Sequence, residues 1–320
     1  CADGTQVVRK ESKEMEKAGP WALQTLRREI RYLKELPDDA KALFPPLLRT
    51  WGDESEETTR VGYEIPYYGD HQSVAQRIAT GKCLPAAANA FQRRLADLLF
   101  HTLHQPAPET SVPLAHHVED TLRETTEKLA GIPHFHDMVT AKEIEINGRA
   151  TLGLRHLIGK PCFQSLERGP RVLLHGDLIV ENILCPIHCD RWWDHCRLID
   201  PVSVAGIAAG SPLFDLVKYE SYASGELLAI RSEQFIARVE DPRTYRFTWD
   251  HRPLSLVPYR DGVWHLSFRQ AFEAHYGPID WKAYHLLDAY FSLVMAVNTT
   301  GRQQWARVLK GILALGLVDS

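Results

Sequence analysis

The sequence is poor in cysteine and methionine, has no long apolar run, and carries no excess of positive charge. Six cysteines in 320 residues are too few for a disulfide framework. Three of them, Cys185, Cys189 and Cys196, stand near His188 and His195. The short paired spacings that a four-ligand zinc site shows at both ends are missing. A zinc site and a hairpin carrying small apolar thiols are therefore the two readings, with the hairpin preferred. The longest nearly apolar stretch, residues 289–297, is about half of what a bilayer crossing needs. The opening residues Cys1-Ala2-Asp3-Gly4 lack the charged-then-apolar order of a secretory signal, so a cytoplasmic protein with no membrane association is expected. Lys and Arg number 37 against 41 Asp and Glu, a formal net charge of −4. No field gathers a polyanion, and no nucleic-acid partner is expected. Repeats, low-complexity tracts and long charge runs are absent. So are the G-x-x-x-x-G-K-[ST] loop and the G-x-G-x-x-G fingerprint, and a nucleotide, if bound, is held in neither a P-loop nor a Rossmann manner.

What is present is ordinary globular composition, 44% hydrophobic and 24% charged. The length allows one large domain or two lobes sharing a cleft. Val7 and Val8 predict a strand over 5–10. After Pro20, Leu26, Ile30 and Leu33 share a helical face, and the helix stops before Pro37. A strand over 60–68 follows, and Gly69-Asp70 closes a first region with too little apolar mass to stand alone. The remainder reads as mostly helical, with helices over 85–104, 115–129, 281–297 and 302–317. A loop with three prolines spans 105–113, and a strand over 143–146 ends at the turn pair Asn147-Gly148.

The informative stretch is residues 172–216, VLLHGDLIVENILCPIHCDRWWDHCRLIDPVSVAGIAAGSPLFDL. The apolar run Val172-Leu173-Leu174 predicts a strand that delivers His175-Gly176-Asp177 onto a loop. Asn182 stands five residues after Asp177, followed by apolar Ile183 and Leu184. A polar turn at 190–194 leads to a second strand, Arg197-Leu198-Ile199, which ends in Asp200. Such a hairpin sets the start of one strand beside the end of the other, so Asn182 and Asp200 emerge at one edge. That pattern suits phosphoryl transfer. Hard divalent cations such as Mg²⁺ take oxygen ligands, and the Asp200 carboxylate and the Asn182 amide carbonyl supply them. Asp177, on the adjoining loop, is the candidate group to orient an incoming hydroxyl and accept its proton.

H-G-D-x-x-x-x-N, then Ile199-Asp200-Pro201, then the G-x-P-x-F-D-L of residues 210–216, resemble the aminoglycoside phosphotransferase family, a branch of the protein-kinase-like fold. The resemblance implies an α+β fold of two lobes. A small β-rich nucleotide-binding lobe would cover 1–69, and a larger, mostly helical lobe with the catalytic loop and substrate site would cover 70–320. It implies Asp177 as catalytic base, Asn182 and Asp200 as Mg²⁺ ligands, and Asp215 as the anchor of the catalytic loop. It implies ATP or GTP as phosphoryl donor and a small-molecule hydroxyl as acceptor. Gly176 stands where protein kinases carry an arginine that reads a phosphorylated activation loop, and no A-P-E-like segment follows Asp200. Both departures favour a small-molecule acceptor over a protein.

In that fold a strand residue of the small lobe touches the α- and β-phosphates and a helix glutamate holds it. Lys10 resembles the first and Glu29 the second. Strand alternation sends Arg9 and Lys10 to opposite faces, so only one reaches the cleft, and Lys10 is preferred. Tyr63-Glu64-Ile65-Pro66-Tyr67 resembles the hinge between lobes, which makes Glu64, Ile65 and Tyr67 candidates to meet the nucleotide base through their backbone. The family's glycine-bearing hairpin calls for more residues before Lys10 than this sequence has.

The acceptor is less legible. Residues 216–320 hold eleven Asp or Glu and twelve Lys or Arg, which argues against a polycationic aminoglycoside. Phe247, Trp249, His251, Tyr259, Trp264, His265 and His275 either stack on a sugar or nucleoside or pack the core. A resistance enzyme, a biosynthetic sugar kinase and a nucleoside-antibiotic kinase all fit. The rivals are a kinase-shaped binding protein without turnover, and a hydrolase in which Asp177 and a metal activate water.

Overall fold

β-Branched Val7 and Val8 open β1 (Val7–Glu11), which pairs antiparallel with β3 (Gly62–Pro66). The other edge of β3 takes β2 (Arg49–Trp51). The computed structural model describes residues 6–12, 15–53, 60–81, 84–107, 112–160, 163–202, 206–250 and 254–318, so the expected strand's residue 5 and the start of the chain lie outside the described residues. Helix α1 (Met15–Glu35) crosses this sheet. Its Leu23, Leu26 and Ile30 join Val61 and Tyr63 in a small apolar cluster, while its Tyr32 and Leu33, and Leu36 just past its end, reach the main core. The helix starts before Pro20 rather than after it. Near the start of a 21-residue helix the one backbone bond lost at proline, costing about 3 kcal/mol, is tolerated.

The chain continues through α2 (Asp38–Lys41), β4 (His71–Ser73) and α3 (Val74–Ala79). Next is α4 (Pro85–Leu98), whose end widens into a π-helical turn over Leu99–Leu103. Then come α5 (Leu114–Ala130) and α6 (His136–Thr140), and β5 (Ile144–Ile146) and β6 (Arg149–Thr151) form a hairpin. Its turn residues Asn147 and Gly148 have φ of 56° and 76°, which the Asn-Gly pair accommodates. After α7 (Leu154–Ile158) come β7 (Val172–Leu173), β8 (Ile183–Pro186), β9 (Arg197–Leu198) and β10 (Ala209–Gly210). The order β4-β8-β9 makes one small sheet and β10-β7 another. Helices α8 (Leu213–Ala223) and α9 (Glu226–Arg231) follow. β11 (Phe235–Asp241) and β12 (Thr244–Trp249) then form a second hairpin, and β12 pairs parallel with β5. The sequence reading had no strands there. α10 (Leu266–Tyr276), α11 (Trp281–Ala296) and α12 (Gly301–Gly316) complete the chain.

The fold is therefore α+β, with small sheets among many helices. One large core holds the apolar faces of α4, α5, α8, α11 and α12. Phe247, Tyr259 and Trp264 are buried in it, so for these three residues the packing reading holds, whereas His275 stacks on Phe100 from an exposed position. His251 lies outside the described residues. Among the described residues no helix is long and apolar enough to cross a membrane.

Candidate active site

Strand β7 ends one residue before the apolar run does, and residues 175–177 turn away from it. That turn is held from below by Asp215, fully buried in the first turn of α8. Its carboxylate accepts the backbone N–H of His175 at 2.8 Å and of Gly176 at 2.9 Å, and lies 3.2 Å from His104 Nε2. Tyr32 of α1 donates its hydroxyl to the Leu174 carbonyl at 2.7 Å, and the His175 carbonyl accepts Val202 N–H at 2.7 Å. Burial pushes the His175 pKa down against the attraction of Asp215, Asp177 and Asp200. The ring is thus held neutral, and its Nδ1 accepts the Asp177 N–H at 3.3 Å. Gly176 sits at φ +76°, and a Cβ there would lie 2.4 Å from the Ile207 carbonyl oxygen. Only glycine fits.

On this frame Asp177 meets two partners. Asn182 Nδ2 donates to the Asp177 carbonyl at 2.9 Å and to its Oδ2 at 3.1 Å. Lys218 Nζ lies 3.1 Å from Asp177 Oδ1. The β8–β9 register, Ile183 opposite Leu198, continues into Ile199 N–H donating to the Asn182 carbonyl at 2.9 Å. Asn182 and Asp200 therefore leave the hairpin at the same edge. Asp200 itself takes a left-handed φ of 54°, an uncommon conformation that an aspartate tolerates better than most residues.

Lys10 closes the group from the other side. Its Nζ lies 2.8 and 2.9 Å from the two oxygens of Glu29 and 2.9 Å from Asp200 Oδ1. Glu29 is buried and also accepts the Tyr63 hydroxyl at 2.7 Å. Burial opposes the Lys10 charge, but Glu29 and Asp200 together outweigh it and raise the ammonium pKa. The Glu29 pKa is raised by burial, with Lys10 the main opposing attraction. Arg9 points to the opposite face and pairs with Glu64 instead.

The hinge candidates are arranged differently. Glu64 and Ile65 lie within β3, where Glu64 pairs with Arg9 on one side and Arg49 on the other, and its carbonyl accepts Leu48 N–H at 2.8 Å. The Tyr67 N–H donates to the Gln6 carbonyl at 3.0 Å. The structure thus gathers Lys10, Glu29 and Asp200 in one cluster and Asp177, Asn182 and Lys218 in another. Glu64, Ile65 and Tyr67 spend these backbone groups on the sheet.

Lys218 escaped the sequence reading. Its signal is a lone lysine in the apolar segment Leu213-Phe214-Asp215-Leu216-Val217-Lys218, one helical turn from Asp215. It also lies 4.9 Å over the Phe291 ring. Beside it opens a cavity of roughly 710 Å³ whose wall includes Asp177, Ile179, Lys218, Phe291 and Arg307, a size and lining suited to a small molecule.

Cys185, Cys189 and Cys196 are free thiols. Burial pushes the Cys185 and Cys196 thiols up, away from the thiolate form a metal needs. Among the described residues no three of His, Cys, Asp and Glu gather to hold a metal ion.

No family model matches the sequence, and no curated protein matches it either. Two solved structures of glucosamine kinase are similar to the chain. One, in complex with glucosamine, ADP and inorganic phosphate, shares 16% identity over 97% of this chain and 75% of that one, with a TM-score of 0.46. The other, crystal form B, shares 16% identity over 93% of this chain and 69% of that one, again with a TM-score of 0.46.

Proposed function

We propose that the protein is a small-molecule kinase that transfers the γ-phosphoryl group of ATP or GTP to a substrate hydroxyl. The observation that carries this reading is Lys10, whose ammonium meets both buried Glu29 and Asp200, the latter 190 residues away in sequence. A lysine held by a helix glutamate and facing a strand-end aspartate is the arrangement a triphosphate needs for its α- and β-phosphates. The resemblance of residues 175–182 and 199–216 to aminoglycoside phosphotransferases supports the same conclusion, and with it a nucleotide-binding lobe over 1–69 and a helical lobe over 70–320.

In this reading Asp177 accepts the proton of the incoming hydroxyl. Asn182 fixes its orientation through the 3.1 Å hydrogen bond, and Lys218 supplies a cation where negative charge accumulates on the transferring group. Lys10 aligns the triphosphate, and Glu29 keeps Lys10 in place. The donor chemistry at the edge of the hairpin fits Mg²⁺. Asn182 spends its amide N–H on Asp177, which leaves its carbonyl oxygen for a cation, and Asp200 offers carboxylate oxygen. When bound there, Mg²⁺ would neutralise phosphate oxygens. The resemblance would put the nucleotide base against the backbone of Glu64, Ile65 and Tyr67, although Leu48 already engages the Glu64 carbonyl and Gln6 the Tyr67 N–H.

The test is transfer of labelled γ-phosphate from ATP and GTP to a panel of hydroxylated sugars, nucleosides and hydroxy acids with Mg²⁺. Transfer by the wild type, lost in Asp177→Ala, is the expected result. Full activity in Asp177→Ala, or no transfer to any acceptor, would count against the proposal.

A further inference from the structure

We infer that the acceptor carries an anionic group, a carboxylate or a phosphate, which Arg307 binds in the same cavity that presents its hydroxyl to Asp177. This rests on the kinase reading and narrows its substrate class.

Arg307 lies on α12 and is 5% exposed, yet its Nε is buried without a hydrogen-bond partner. Among the described residues its guanidinium has no ion pair. Only its backbone is engaged, accepting the Ser292 hydroxyl at 2.9 Å. Burial, helped by nearby Arg231, pulls its pKa down to about 10, so it stays a cation at neutral pH. A buried, unpaired charge is strongly disfavoured.

Side chains on the cavity wall do not resolve the imbalance. None of its carboxylates turns to Arg307: Asp177 pairs with Lys218 at 3.1 Å, Glu124 with Lys128 at 2.7 Å, and Glu226 and Asp288 share Lys310, the former at 3.0 Å. Arg231, also on the wall, is taken by Glu181. What remains is a planar guanidinium facing a cavity that also contains Asp177. Its fork geometry fits two oxygens of a carboxylate or phosphate. An acceptor with an ammonium group would meet the wrong charge here.

Thermal-shift titration of the wild type, Arg307→Met and Arg307→Gln tests this, with D-glucuronate, D-glucose 6-phosphate, D-glucose and D-glucosamine as probes. The anionic probes are expected to raise the wild-type melting temperature well beyond their neutral and amino counterparts, and glucuronate against glucose 6-phosphate tells carboxylate from phosphate. That gain should vanish in both variants. Without probe, Arg307→Met should melt no lower than the wild type, since it removes an unpaired charge. In turnover, KM for an anionic acceptor should rise on the order of 100-fold in the variants. Equal shifts in wild type and variants, or no anion-specific shift, overturn the inference. Transfer that is indifferent to acceptor charge and to Arg307 overturns it while leaving the kinase reading intact. Arg307-dependent anion protection with no transfer to any acceptor overturns the kinase reading and leaves the anion subsite.

Discussion

Lys218 Nζ stands 3.1 Å from Asp177 Oδ1, both side chains largely withdrawn from solvent. The proposed base thus has a lysine from a neighbouring helix as its nearest cation. In the proposed reaction this lysine faces the transferring phosphoryl group, and without it Asp177 keeps the Asn182 amide as a partner. Lys218→Met is expected to lower kcat about 100-fold or more, while the melting temperature and MgATP binding change little. Steady-state kinetics beside a thermal melt check this, and an unchanged kcat would remove Lys218 from the reaction.

Lys10→Met should be costly in a pH-dependent way. Glu29 is buried with its pKa already raised. Losing Lys10 removes the main opposing attraction and raises that pKa further. A raised folded-state pKa gives stability that is fully present below the ordinary value of 4.5 and is lost as pH rises through the folded value. The variant should therefore match the wild type most closely at about pH 4 and fall behind by about 2–3 kcal/mol near pH 8, less than for a fully buried pair because Lys10 is partly exposed. Urea unfolding at the two pH values measures the difference. A gap that is the same at both would contradict the assigned role of Glu29.

Gly176→Ala asks a left-handed backbone to accept a Cβ 2.4 Å from the Ile207 carbonyl. A loss of at least about 2 kcal/mol is expected, and any protein that folds should show a far lower kcat, since Asp177 is the next residue. An active, wild-type-stable alanine variant would show that this turn is not the one described.

How much of this was legible in the sequence depends on the range of the contacts. The Asn182–Asp200 edge was readable because a short hairpin fixes it locally. The Lys10–Glu29 pair followed from the family resemblance, with strand alternation choosing Lys10 over Arg9. Lys218 was not readable, because its approach to Asp177 needs α8 packed under the turn at 175–177. Arg307 was hidden for the same reason, since its burial is set by α11 lying on α12. The β11–β12 hairpin was missed because its solvent face is polar and its pairing with β5 is long-range. The start of α1 was misjudged by giving Pro20 more power to stop a helix than a long helix grants it.

Asp215→Ala should act on folding before chemistry. It leaves the buried N–H groups of His175 and Gly176 without acceptors, a loss of about 2–5 kcal/mol for two orphaned donors. Asp215→Asn, which keeps one acceptor oxygen, should recover part of it. Thermal denaturation of the two variants ranks them, and equal melting temperatures for wild type and Asp215→Ala would refute the anchor.

The most direct measurement is calorimetric binding of MgATP and MgGTP to the wild type, Asp200→Asn, Lys10→Met and Asp177→Asn. If Lys10, Glu29 and Asp200 grip a triphosphate while Asp177 acts on the acceptor, the wild type and Asp177→Asn should bind alike, and the other two at least about tenfold more weakly. Binding that is absent in the wild type, or equal in all four proteins, would contradict the account.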